Sequence, residues 1–140
     1  MRHLVHEHRL HAEVEVDSAG TAGWHVGDPP DPRGVSAAAA LGIRVSHRGR
    51  QFTVRDLDEF DLVLVMDDDN WSSVMGLARS PAHAEKVRYL RRYDVAANGD
   101  TVIDDPYYGG EAEFERCLRE ILASCRGLLE SLRREHGWAP

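Results

Sequence analysis

The chain has 140 residues, the size of one compact domain and too short for two ordinary ones. With 42% apolar and 29% charged residues it can build a core and cover it. Its net charge of −7, from 17 basic and 24 acidic side chains, argues against a nucleic-acid backbone or an anionic membrane as the main partner.

In chain order, Ala12-Glu13-Val14-Glu15-Val16-Asp17 alternates apolar and charged residues, and Ser18-Ala19-Gly20-Thr21 follows. That pattern predicts a strand ending in a small-residue loop. Residues 23–34 carry glycine and proline breakers, three of them Pro29, Pro30 and Pro32, and predict an irregular surface loop. Ser36 to Leu41 is alanine-rich and stops at Gly42, a short helix with a glycine terminator. Thr53 offers an N-cap for another short helix, with Asp56 placed to reach back to it.

Phe60 to Met66 is nearly continuously apolar, as a strand buried on both faces should be. Asp67-Asp68-Asp69-Asn70 then opens a helix running toward Arg79, and Val87 to Tyr93 is a second, more mixed strand. A long helix runs from about Glu111 to Glu135, its apolar residues from Phe114 to Leu132 falling on one stripe. Strands alternating with helices predict an α/β domain with a parallel sheet. Such sheets place ligands outside the carboxyl ends of their strands. Those ends are Asp17 to Gly20, Asp67 to Asn70, and the loop holding Asp104-Asp105-Pro106-Tyr107-Tyr108-Gly109-Gly110.

This last stretch is the most specific in the chain. Proline disfavours helical backbone at Asp105, paired glycines allow a sharp turn, and two tyrosines stand beside a carboxylate. That suits an aromatic or phosphorylated substrate whose leaving group must be protonated, although the same residues also make an ordinary turn. Asp67-Asp68-Asp69 could bind Mg²⁺, but aspartate is equally the residue of helix caps and first turns, and capping is the preferred reading. His3, His6, His8 and His11 crowd the amino end without other strong ligands, so a solvated face is expected rather than a metal site. The two cysteines, Cys117 and Cys125, sit mid-helix on the apolar stripe and read as core. They are too few for a disulfide scaffold, the first ten residues lack the apolar stretch of a signal peptide, and no apolar run approaches a membrane span. The expected location is the cytoplasm.

Four blocks, in this order, carry a resemblance. They are Asp17-Ser18-Ala19-Gly20-Thr21, then Gly23-Trp24-His25-Val26-Gly27 with Pro30-Asp31-Pro32-Arg33, then Phe60-Asp61-Leu62 through Met66-Asp67, and finally Asp105-Pro106-Tyr107-Tyr108-Gly109. Over essentially the whole chain they resemble the low-molecular-weight protein tyrosine phosphatases. The resemblance implies a doubly wound, Rossmann-like fold with a four-stranded parallel sheet. It implies hydrolysis of a phosphotyrosine protein or small aryl phosphate through a cysteinyl-phosphate, without metal or cofactor. It further implies that Asp105 is the general acid, that Trp24, Tyr107 and Tyr108 flank the substrate cleft, and that Ser18 supports the phosphate loop from behind. A phenol has a pKa of about 10, so a proton donor helps expel it at neutral pH.

The chain departs from that family at one point. The family signature is Cys-x-x-x-x-x-Arg after the first strand, yet Ala123 lies six residues beyond Cys117 and Ser131 six beyond Cys125. Met1-Arg2-His3-Leu4-Val5 instead resembles the middle of the helix that follows that loop. The expectation is one phosphatase-like domain over residues 1–140, truncated at its amino end by about twenty residues: a strand of ~5–6, the loop and the first helical turns. Such a chain should be inactive and poorly stable, with Glu13 to Val16 deprived of a neighbour. The alternatives are a non-catalytic relative that binds a partner or is a degenerate product, and an arsenate reductase of the same fold, which needs several reactive cysteines.

Overall fold

The structure is a computed structural model, and it describes residues 1–23 and 26–138. Helices α1 (Arg2–Glu7), α2 (Pro32–Ala40) and α3 (Val54–Glu59) precede strand β1 (Val63–Val65). Helices α4 (Asp68–Met75) and α5 (Pro81–Lys86) lead to strand β2 (Val87–Tyr89), and two 3₁₀ turns and an irregular stretch lead to α6 (Glu111–His136). β1 and β2 pair in parallel, Val63 opposite Val87 and Val65 opposite Tyr89.

Alternation along β1 builds a core on each face of this sheet, because successive strand side chains point to opposite sides. Val63 and Val65 pack with Leu57, Val74 and Val87, under α3 and α4. Leu62, Leu64 and Met66 pack the other way, against the core of Leu4, Val5, Leu90, Ile103, Cys125, Leu128 and Leu129 built by α1 and α6. This is an α/β fold with a parallel sheet, as the strand–helix alternation predicts. Among the described residues no helix is long and apolar enough to cross a membrane.

Local chemistry sets the helix ends. Thr53 N–H donates to Asp56 Oδ2 at 2.9 Å, the expected capping box, and Asp67 accepts from the Asn70 N–H at 2.8 Å to start α4. The aspartate run is therefore a cap in this structure. α2 begins earlier than its alanines predict: Asp31 caps it by accepting from the Arg33 N–H at 2.9 Å, and Pro32 occupies the first turn. Proline there loses no hydrogen bond, so the residue read as a breaker is a starter. The same device, Ser80 before Pro81, begins α5, which the sequence reading did not anticipate. Within α6, Gly127 has a packing reason: a Cβ there would lie 1.8 Å from the Tyr93 carbonyl oxygen, so the 3₁₀ turn Leu90–Tyr93 reaches the helix backbone.

Two strand expectations need correction. The segment 12–17 is not a strand: residues 11–13 form a turn, and among the described residues 14–18 have no ladder partner. Alternation supplies a face, and Val14 and Val16 do pack against the α1–α6 core, but a strand also needs a neighbour to bond. Among the described residues the sheet correspondingly has two paired strands rather than four, with one isolated parallel bridge between Gly20 and Gln51. Between residues 14–21 and β1 lies a cleft of about 440 Å³. Leu62, Leu64, Ile121, Leu128 and Leu132 are among its apolar walls, and Met1 stands in its lining.

Candidate active site

The loop from Asp104 to Gly110 springs from the carboxyl end of β1. Ile103, 2% exposed, donates its N–H to the Met66 carbonyl at 2.8 Å, which roots the loop beside the strand end. Arg91 secures the approach to it, donating to the Val102 carbonyl at 2.8 Å and facing Asp100 at 3.3 Å and Glu120 at 3.5 Å. Asp104 and Asp105 are then exposed. Asp105 Oδ1 accepts from the Tyr107 N–H at 3.0 Å, a turn that Pro106 at its centre favours. Gly109 N–H donates to the Pro106 carbonyl at 2.7 Å, and Gly110 N–H to Glu113 Oε2 at 2.9 Å, where α6 begins.

Tyr107 and Tyr108 are both exposed, with ring centroids 5.0 Å apart in an edge-to-face arrangement. Tyr108 is 98% exposed, which core packing does not explain. Arg33, on the first turn of α2, bridges to this loop. Its Nε and Nη2 grip the Asp31 carboxylate at 3.2 and 2.9 Å, and its Nη1 donates to the Gly109 carbonyl at 3.3 Å. Its guanidinium carbon lies 4.5 Å from the Phe114 ring centroid and 5.7 Å from that of Tyr107. The hydrogen bonds from Arg33 hold the Asp31 carboxyl below the usual carboxylate range.

Ser18 lies at the polar end of the cleft, next to Asp17. Asp17 Oδ1 accepts from the Ser18 N–H at 2.8 Å, and Asp17 Oδ2 from Arg50 Nε at 3.1 Å. Arg50 also forks onto Asp56 at 3.1 and 3.0 Å, so one guanidinium ties the segment carrying Ser18 to α3. Burial pushes the Asp56 carboxyl upward, but the Arg50 and Thr53 hydrogen bonds and the nearby positive charge outweigh it and leave the pKa lowered.

Burial disfavours the thiolate form at both cysteines. Burial, then the charges of Glu120 and Asp105, pushes Cys117 up to about 11. Burial also raises Cys125, with the Met1 ammonium pulling partly back. Both are free, and thiolate reactivity needs the opposite shift. His3 pairs with Glu7 one helical turn away, at 3.1 Å, and no group of three or more potential metal ligands occurs among the described residues.

Of the expected site residues, Asp105, Tyr107 and Tyr108 share one loop, and Ser18 stands on the cleft rim beyond β1. Trp24 lies outside the described residues. Sequence reasoning gave no role to Arg33 or Arg50. The only local signal for the first was the Asp31-Pro32-Arg33 cap itself, because its other partner is 76 positions away in sequence.

The family model for low molecular weight phosphotyrosine protein phosphatase matches residues 1–137, and the chain belongs to that family. A low molecular weight protein-tyrosine-phosphatase of Streptomyces coelicolor is 43% identical over 123 residues, 87% of this chain and 75% of that one. The human low molecular weight phosphotyrosine protein phosphatase is 35% identical over 130 residues, 92% of this chain and 81% of its own. Among solved structures, an Entamoeba histolytica protein tyrosine phosphatase with Hepes in its active site superposes with a TM-score of 0.88 at 26% identity, covering 97% of this chain and 85% of that one. A Drosophila arginine phosphatase superposes at 0.84 with 31% identity, over 94% and 85%.

Proposed function

We propose that these 140 residues are the body of a cytoplasmic phosphotyrosine phosphatase whose nucleophile loop, a Cys-x5-Arg stretch, is carried by preceding residues. In this reading an incoming thiolate attacks phosphorus and the P–O bond to the phenol breaks. Asp105 gives its proton to the departing oxygen, and the resulting carboxylate then takes a proton from the water that hydrolyses the cysteinyl-phosphate. Ser18 braces the phosphate loop, while Trp24, Tyr107 and Tyr108 border an aromatic substrate. The reaction is written without metal or cofactor, and the partner is a phosphotyrosine protein or an aryl phosphate.

The observation that carries this reading is the cleft beside β1. Its walls are largely apolar, with Asp17, Ser18, Arg50 and Asp56 among the polar residues lining it, and it lies between β1, whose described ladder partner is β2 alone, and residues 14–18, which have no ladder partner among the described residues. Cross-strand hydrogen bonding there requires one more extended segment, since neighbouring strands lie about 4.8 Å apart. In this reading the preceding strand fills the cleft and its loop meets Ser18. Neither Cys117 nor Cys125 begins a Cys-x5-Arg stretch, and burial pushes both thiols upward, which disfavours either as the nucleophile. The same shift disfavours an arsenate reductase relying on them.

The test uses the protein extended through the in-frame codons before Met1. Asp105→Asn should slow hydrolysis of phosphotyrosine by roughly 10²–10⁴-fold, the size of general acid catalysis. Unchanged turnover, or a larger loss from Asp104→Asn, would show that the acid is misassigned. Finding no Cys-x5-Arg codons upstream would favour the non-catalytic relative.

A further inference from the structure

We infer that Arg33 is a positioning residue for the acid loop, a strut that fixes where Asp105 delivers its proton. The inference rests on the phosphatase reading above. All three nitrogens of the guanidinium have partners, two on Asp31 and one on the Gly109 carbonyl. A fork already filled by a carboxylate is not offered to a phosphate, so Arg33 acts on the protein and not on the substrate.

The base of the strut is fixed. Asp31 caps α2 through the Arg33 N–H while its oxygens hold the Arg33 side chain, and Pro32 restricts the backbone between them. The far end reaches the loop in two ways, by the hydrogen bond to Gly109 and by the guanidinium lying between the Phe114 and Tyr107 rings. Tyr107 in turn donates its N–H to Asp105 Oδ1. A chain of contacts therefore runs from the α2 cap through Arg33 and Tyr107 to the acid carboxyl. The opposite end of the loop is rooted by Ile103 and Arg91, and Arg33 ties the Gly109 end, where the loop enters α6, to the cap of α2.

The chemistry is sensitive to this. A proton donor must sit about 2.6–3.2 Å from the oxygen it protonates. A misplacement of about 1 Å can cost on the order of 10²-fold. Lysine would keep the charge but has neither the fork nor the planar face.

Two measurements on Arg33→Ala and Arg33→Lys test the strut. In the 140-residue protein, amide hydrogen exchange at Tyr107, Gly109 and Gly110 should accelerate about tenfold or more in both variants. Exchange at Leu128 and Leu129, deep in α6, should stay within about twofold. Unchanged loop amides, or core amides accelerating in step with them, would overturn the proposal. In the upstream-extended protein, kcat/KM for phenyl phosphate should fall roughly tenfold, and that for p-nitrophenyl phosphate much less, because its phenolate departs with less protonation. An equal loss on both esters also overturns it. If the unsubstituted extended protein hydrolyses neither ester, the phosphatase reading fails, and the exchange data alone decide whether Arg33 holds the loop.

Discussion

The two sides of β1 differ. On one side β2 completes the ladder, and Val63 and Val65 are closed in by Leu57 and Val74. Along its other edge β1 faces a cleft, and residues 14–18 opposite have the alternation of a strand but no ladder partner among the described residues. The edge of β1 beside β2 is closed by ladder hydrogen bonds, while the other edge opens on the cleft. Side-chain patterning therefore assigns faces, while ladder hydrogen bonds need two backbones.

Paired truncations sharpen that contrast most. Leu57→Ala, at a fully buried position on the closed side, should lower unfolding stability by about 2–5 kcal/mol in a denaturant titration. Leu62→Ala, on the cleft side, should cost less than half as much, because part of its surroundings is already empty. If the proposed preceding strand fills the cleft, the upstream-extended protein should raise the Leu62 cost toward that of Leu57. Equal costs in the 140-residue protein would mean the cleft side is closed as well.

Gly127→Ala comes next. Alanine improves helix propensity by up to about 1 kcal/mol, but the Tyr93 carbonyl lies 1.8 Å from the new Cβ. Overpacking of this kind costs about 1–3 kcal/mol, so a lowered Tm is expected, and a raised one would show that the 3₁₀ turn yields freely. Ser80→Ala, which removes the α5 cap, should cost about 1 kcal/mol.

The smallest effect is a pH dependence at the cleft rim. The Asp56 pKa is lowered in the folded protein, so its ionised form stabilises the fold above the unfolded value of 3.8. That contribution is lost as pH falls below 3.8 and through the folded value. Asp56→Asn should flatten the acid limb of a Tm-against-pH curve in that window. An unaltered limb would separate the Arg50–Asp56 pair from acid sensitivity.

Much of this was legible in the sequence, for physical reasons. The α6 stripe and the Thr53–Asp56 box are local patterns that appear where their residues put them, and the apolar run from Phe60 to Met66 holds β1 over Val63–Val65 alone. The helix starts at Pro32 and Pro81 are less legible, because proline breaks a helix interior and only a first-turn position makes it a starter. Asp105 with Tyr107 and Tyr108 could be singled out because turn residues and chemistry coincide in one stretch. The arginine struts could not. Arg33 and Gly109 meet only after α2 and the loop before α6 have folded together, and nothing near Arg33 in sequence marks that meeting.

The central claim is that the cleft beside β1 belongs to a preceding strand and nucleophile loop. Its most direct test is the intact mass and amino-terminal sequence of the protein isolated from its native source. The account predicts a mass above 15.7 kDa and a Cys-x5-Arg loop ahead of Met1. A native chain of 15.7 kDa beginning at Met1 would contradict it.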